Sequence, residues 1–225
     1  FTSTTSVYGD AMRPATSSSP AVWVTESLVP QPKNIYGVTK LAAKDLCRLF
    51  HRNHGLSCLV LRTSRFFPEA DDSDAQRAEF SDDNLKVNEF LYRRVDVGDV
   101  VDAHLCASER AAAIGHGVYI VSVTTPFDMN DTAALARDPG GVVERCVSHR
   151  ETYAALGWSL PPSFDRVYDN ARARLELGWK PRWDFASVLE RVGEGRGWRS
   201  ETALAVGSKG YHTETFDGLD GPYPV

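Results

Sequence analysis

The spacing of apolar and polar positions predicts an alternation of buried strands and amphipathic helices. Phe1-Thr2-Ser3-Thr4-Thr5-Ser6-Val7-Tyr8-Gly9 is rich in β-branched and aromatic residues and stops at a glycine, as a strand entering a loop does. A Ser/Pro-rich stretch from Pro14 through Ser17, Ser18 and Ser19 to Pro32 is too broken for a helix and carries one short segment, 21–24. Asn34 is placed to cap a helix over 35–53, with Leu41, Leu46, Leu49 and Phe50 on its core side, and Gly55 to stop it. Residues 56–61 are a nearly all-apolar run, the kind of strand covered on both faces of a parallel sheet. Strand, long helix and strand make a βαβ crossover.

Further along, an acidic loop over 69–83 contains Asp71, Asp72, Asp74, Asp82 and Asp83. Its spacing matches no calcium loop, so it reads as solvated charge. A brief strand is expected over 92–97, a helix over 99–113 and a buried strand over 117–123. Beyond Pro126 the pattern is helical, interrupted at Pro139-Gly140-Gly141 and Leu160-Pro161-Pro162. Arg166-Val167-Tyr168 reads as a short strand, Asp169 caps a helix ending at Gly178, and Asp184 caps a last helix to about residue 192. The tail from Gly193 reads as irregular, and no internal repeat is present.

Composition narrows the class. In 225 residues, 42% hydrophobic and 24% charged positions describe a globular chain. With 25 Lys+Arg against 30 Asp+Glu there is no electrostatic footprint for nucleic acid or an anionic membrane. No apolar run approaches the roughly 20 residues that span a bilayer. Cys47, Cys58, Cys106 and Cys146 are scattered, without a CxxC, and read as reduced thiols of a cytoplasmic protein. The first residue is Phe1, with no basic-then-apolar leader, and truncation of a longer protein is the expected reading.

The strongest chemical signal is Tyr36-Gly37-Val38-Thr39-Lys40. Tyr36 and Lys40 stand at i and i+4 near a helix start and share one face. A free phenol, with a pKa of about 10, is a poor base at neutral pH. Bringing it down to neutrality takes about 4 kcal/mol, within reach of an ammonium group in a partly desolvated pair. A hydroxyl-rich strand end, Ser3-Thr4-Thr5, precedes the pair. Elsewhere the plainer readings prevail. His51 and His54 are surface polar residues, Asn130-Asp131-Thr132 is an idle sequon, and Trp158, Trp179 and Trp183 pack helices. Lys209-Gly210-Tyr211-His212 suggests no mechanism.

These residues resemble the extended short-chain dehydrogenase/reductases, the NAD(P)-dependent sugar epimerases and dehydratases. Thr2 to Gly9 is similar to their "SSxxVYG" strand end, and Tyr36 and Lys40 match their YxxxK pair. Leu61-Arg62-Thr63-Ser64-Arg65-Phe66-Phe67-Pro68 resembles "LRxxNVYGP", Val95-Asp96-Val97-Gly98-Asp99-Val100 resembles "VHVDDV", and the stretch from Asp169 to Pro181 resembles the closing "D-x-x-K-A-x-x-x-LGW-x-P". The resemblance implies an α/β fold: part of a doubly wound, Rossmann-type parallel sheet with an interleaved small mixed α/β substrate domain. Residues 1–66 and 95–123 would be the C-terminal half of the dinucleotide-binding domain, and 67–94 and 124–225 the substrate domain and tail. It implies NAD or NADP as cofactor. Thr4, Tyr36 and Lys40 would be catalytic, Tyr36, Lys40, Thr63 and Ser64 would contact the cofactor, and Thr4, Arg65, Tyr92 and Arg93 the substrate. It also implies a small-molecule substrate of the sugar or sugar-nucleotide class, and a homodimer paired through the helix carrying YxxxK.

Three departures stand out. No GxxGxxG follows a strand, so the turn that seats a pyrophosphate on a helix N-terminus is absent. Arg65 occupies the asparagine of "LRxxN". The phosphate-binding arginine falls on Tyr92, with Arg93 and Arg94 displaced by one and two positions. Two alternatives stay open: a dehydrogenase or reductase of a non-nucleotide alcohol or ketone, and a non-catalytic binding protein. The 225-residue chain alone is expected to be inactive.

Overall fold

The computed structural model describes residues 1–16, 19–71 and 73–208. Among them, β1 (Thr2–Thr4), β2 (Val22–Val24), β3 (Cys58–Thr63), β4 (His116–Val121) and β5 (Arg166–Tyr168) form two parallel sheets, ordered β1-β3-β4 and β2-β5. Helix α1 (Ile35–His54) returns the chain from β1 to β3, in a register that sets Thr4 beside Thr63. Its start is fixed by Asn34, whose side chain accepts from Gly37 N–H at 2.9 Å, and its end by Gly55 at φ 68°.

Between β3 and β4 lie α2 (Asp74–Glu79), α3 (Asp82–Glu89) and α4 (Val97–Ile114). After β4 come α5 (Thr132–Leu135), α6 (Pro139–Cys146) and α7 (Arg150–Leu156); after β5, α8 (Ala171–Leu177), α9 (Phe185–Gly193) and α10 (Glu201–Val206). Helices α4 and α8 bury Val100, Ala103 and Leu177 against Leu59, Leu61 and Val121 of the larger sheet. Trp179 is fully buried there, and its indole N–H donates to Asp99 O at 3.0 Å. A second core gathers Phe90, Leu91, Phe164, Phe185 and Val188, and a third, with Val7, Tyr8, Val24, Ile120 and Tyr168, joins the two sheets. The molecule is α/β, as the apolar pattern predicts.

Several elements differ from the sequence expectation. The first strand stops at Thr4, because Thr4 Oγ1 accepts from Ser6 N–H at 3.1 Å and winds Thr5–Tyr8 into a 3-10 turn. Leu46, Leu49 and Phe50 of α1 face outward at 55%, 39% and 47% exposure, and Leu41 is the one of the four that joins a core cluster. Residues 92–97 are not a strand. The Arg93 and Arg94 N–H groups both donate to Glu89 O, at 2.9 and 3.0 Å, and this turn leaves a single bridge, Arg65 to Arg94. The acidic stretch carries α2 and α3, each capped by a serine (Ser73, Ser81), with Asp71 buried; Asp72 lies outside the described residues. Pro139 begins α6 rather than interrupting a helix, in the position where its missing N–H costs nothing. The tail holds α10, whose cap Ser200 donates to Asp96 Oδ1 at 2.7 Å; Lys209 to His212 lie outside the described residues.

Candidate functional site

The 3-10 turn after β1 and the first turn of α1 meet closely. A Cβ on Gly37 would stand 3.0 Å from Ser6 O and 3.0 Å from Pro32 Cβ, so the glycine beside Tyr36 permits the approach. Gly9, at φ 48°, closes the turn where a Cβ would lie 1.9 Å from Gln31 O. One helical turn beyond Tyr36, Lys40 Nζ lies 5.8 Å from the Tyr36 ring centroid and 5.3 Å from that of Phe1, and donates to Thr2 O at 3.1 Å. Thr4 is buried, with Oγ1 shared between Ser6 N–H and Ser6 Oγ, each at 3.1 Å. Beside it Thr63 Oγ1 donates to Ser3 O at 3.0 Å. Ser64 N–H donates to Val121 O at 2.9 Å, while its buried Oγ has no partner among the described residues. Thr4, Thr63 and Ser64 thus stand at the C-terminal ends of β1 and β3, while Lys40, with the Tyr36 ring beside it, reaches the start of β1. Ligands of open α/β sheets bind outside such ends.

Arg65, Tyr92 and Arg93 belong to a charged cluster beside this group. Its centre is Glu89, fully buried, whose Oε2 accepts from Arg94 Nε at 2.8 Å. Glu89 Oε1 stands 3.0 Å from Arg93 Nη2 and 3.3 Å from Arg65 Nη1, and Arg65 also pairs with Asp71. Burial pushes the Glu89 carboxyl up, but Arg94, Arg93 and Arg65 together outweigh it and hold it at about 2. Asp71 is likewise held low, Arg65 and the Ser73 N–H overcoming its burial. Burial and then Arg94 push the ammonium of buried Lys86 below its ordinary value, although its Nζ donates to Glu69 O at 2.6 Å. Tyr92 turns into the second core, 4.7 Å from the Phe164 ring, and burial pushes its phenol to about 12. Because this segment is a turn, Arg93 and Arg94 both reach Glu89 instead of pointing to opposite faces. Sequence reasoning passed over Glu89, read Asp71 as solvated charge and set Arg94 two positions off the phosphate-binding arginine, whereas all three are buried; the Glu89/Arg93 spacing of i and i+4 on a helix end was the available signal.

The remaining polar candidates have structural places. His51 Nδ1 lies 3.0 Å from Leu56 O and its ring stacks on His116 at 5.9 Å. No group of three or more His, Cys, Asp or Glu among the described residues could hold a metal ion. No helix among them is long and apolar enough to cross a membrane.

Residues 1–122 match the model of the NAD dependent epimerase/dehydratase family. The chain belongs to this family. Two curated relatives of this epimerase/dehydratase-family chain are the low-salt glycan biosynthesis protein Agl12 of Haloferax volcanii, 24% identical over 71% of the chain and 51% of the relative, and the dTDP-glucose 4,6-dehydratase of Streptomyces antibioticus, 28% identical over 72% and 48%. The chain therefore spans about half the length of the curated relatives it matches. Among solved structures, it is similar in fold to a short-chain dehydrogenase/reductase superfamily protein of Agrobacterium tumefaciens with bound NAD (TM-score 0.52, 22% identity, covering 92% of the chain and 67% of the other). It is also similar to the UDP-N-acetylglucosamine 4-epimerase of Bacillus cereus (TM-score 0.51, 18% identity, covering 86% and 60%).

Proposed function

We propose that the chain is the catalytic and substrate-binding portion of an NAD(P)-dependent oxidoreductase of the epimerase/dehydratase type, with a sugar or sugar-nucleotide substrate. One observation supports the reading: Lys40 Nζ sits 5.8 Å from the Tyr36 ring and donates to Thr2 O, on the strand that ends at Thr4. Tyr36 takes the proton of a substrate hydroxyl, Lys40 stabilises its phenolate, and Thr4 hydrogen-bonds the substrate oxygen as it gains carbonyl character. The bound nicotinamide supplies the hydride acceptor. The hydroxyl and ammonium donors at the ends of β1 and β3 fit its ribose and amide end: Tyr36, Lys40, Thr63 and Ser64 would hold it. Residues 1–66 and 95–123 form the dinucleotide-binding side of this reading, and 67–94 and 124–225 the substrate side.

The pyrophosphate end has no Gly-rich turn in this chain, and β1 is an edge strand of its sheet. We infer that residues 1–225 alone neither hold NAD(P) tightly nor turn over substrate, and that a segment bearing the Gly-rich turn completes the sheet at β1. Micromolar NAD(P) binding to the isolated chain by calorimetry refutes this. The general-base role is tested by Tyr36→Phe in the longest gene product containing these residues. Turnover should fall at least about 100-fold, and undiminished turnover removes the role. The outward apolar row of α1, with Val101 and Leu105 of α4 at 48% and 58% exposure, supports a homodimer through these helices. Scattered free cysteines support a cytoplasmic setting. A second reading, a dehydrogenase or reductase of a non-nucleotide alcohol or ketone, is favoured by Arg65, a fork of donors tied to Asp71 and Glu89; net consumption of nicotinamide distinguishes it from an epimerase that retains its cofactor.

A further inference from the structure

We propose that Cys47 and Cys58 are a dithiol site that oxidises to an intramolecular disulfide, stapling the last turns of α1 to the start of β3. The site lies away from Tyr36 and Thr4, and the proposal does not depend on the oxidoreductase reading. The fold brings together two cysteines that the sequence separates. From Cys47 the helix runs eight residues to Gly55, about 12 Å at 1.5 Å per residue. Gly55, at φ 68°, reverses the chain, and three residues returning at a strand's rise cover about 10 Å to Cys58. The two cysteines therefore stand at nearly the same height.

Their faces match as well. Gly37, Lys40, Lys44, Cys47 and His51 recur at intervals of three and four along one row of α1. Lys40 in this row donates to Thr2 O at the start of β1, and His51 stacks on His116 at the start of β4. His116 is the register partner of Cys58, and its Nδ1 lies 3.0 Å from Cys58 O. On β3, Leu59 and Leu61 turn toward α4, so Cys58 alternates toward α1. There the Cys47 thiol donates to the Cys58 sulfur. Both residues are partly exposed, within reach of a small reagent. The other two thiols have charged neighbours instead, Cys106 beside Glu109 and Asp102, Cys146 beside Asp131 and Arg145.

The oxidant is a small-molecule disulfide. One protein thiolate attacks a sulfur of the reagent and releases its first thiol, leaving a mixed disulfide. The second protein thiolate attacks the mixed disulfide and releases the second thiol. One S–S bond forms in the protein as one breaks in the reagent. Two electrons pass to the reagent, and the two protons of the protein thiols end on its two sulfurs. Burial, and then the bond to Cys58, push the Cys47 thiol to about 11, so exchange is slow at neutral pH and the extent of closure is read at equilibrium.

The test incubates the longest gene product containing these residues to equilibrium with oxidised glutathione, then alkylates, digests and weighs the peptides. Cys47 and Cys58 should lose alkylation together and appear as one cross-linked pair of peptides within a single chain, while Cys106 and Cys146 stay alkylated or carry glutathione. Closing a loop of about a dozen residues should raise the melting temperature by about 5–10 °C, and dithiothreitol should reverse the rise. In Cys47→Ser the rise should vanish and glutathione should remain on Cys58. Cys58→Ser, with glutathione left on Cys47, serves where the first variant does not fold. The proposal is overturned if both cysteines stay alkylated, if glutathione stays on one of them in the parent protein, if the bridge joins two chains or another pair, or if the melting temperature does not rise. None of these readouts needs turnover, so they stand apart from the Tyr36→Phe result.

Discussion

Replacing Glu89 with glutamine should destabilise the protein by about 3 kcal/mol at neutral pH, and the loss should vanish in acid. The carboxylate is fully buried and faces three guanidinium groups, Arg94 at 2.8 Å, Arg93 at 3.0 Å and Arg65 at 3.3 Å. They hold it at about 2 against an ordinary 4.5. At about 1.4 kcal/mol for each factor of ten in proton affinity, that difference amounts to about 3 kcal/mol. It agrees with the roughly 3–5 kcal/mol lost when one member of a buried ion pair is removed. The sign follows from the direction of the shift. A depressed carboxylate contributes its full stability above pH 4.5, and loses it as pH falls through 2. Urea melts of the parent and Glu89→Gln from pH 7 to pH 2 should therefore show a gap that is constant down to about pH 4.5 and then closes. Taking the difference cancels Asp71 and every other carboxylate common to both proteins. For a chain of this size the gap corresponds to about 6–12 °C in melting temperature. A gap below about 1 kcal/mol, or one independent of pH, would show that Glu89 does not organise the arginines.

Gly9→Ala should cost more than about 2 kcal/mol, since it combines a positive φ with a Cβ 1.9 Å from Gln31 O, whereas Gly157→Ala, at φ 64° with nothing within 4 Å, should cost only about 1 kcal/mol. Equal melting temperatures for the two variants would refute the steric account. Leu49→Glu, on the outward face of α1, should convert the proposed dimer to a monomer in sedimentation while leaving the circular dichroism spectrum unchanged; a dimer that persists moves the interface elsewhere.

Local signals were legible in the sequence and tertiary ones were not. Asn34 and Gly55 bound α1 as expected because caps are decided by the residues beside them. The apolar runs at β3 and β4 announce a parallel sheet because no side of such a strand meets water. The outward row Leu46, Leu49 and Phe50 was assigned to the core because periodicity shows that a helix has an apolar face, without showing what covers it. The charged cluster was read as a brief strand and a solvated loop because burial of Asp71, Glu89 and Lys86 depends on partners brought from several elements. The YxxxK pair stood out by its spacing together with its place, on a helix between two buried strands and after the hydroxyl-rich end of the first. The contact of Lys40 with Thr2 O needed the crossover of α1 over β1.

The pairing of β2 with β5 has a consequence for the order in which the molecule assembles. Phe1 and Leu59 of the larger sheet are 58 positions apart, but Trp23 and Asp169, which tie the smaller sheet, are 146 apart. The extra loop-closure entropy is under about 1 kcal/mol, so equilibrium stability hardly notices it. Timing does. At roughly 5–20 residues per second of synthesis, β2 leaves the ribosome about 7–30 s before β5 exists to receive it. Through that interval its backbone is a free template for strand addition by any neighbouring chain. The strand is three residues long, Val22–Val24, with Pro20 before it and Pro30 and Pro32 after it. Prolines that donate no hydrogen bond keep so short a template from growing, and they hold β2 single until its partner arrives.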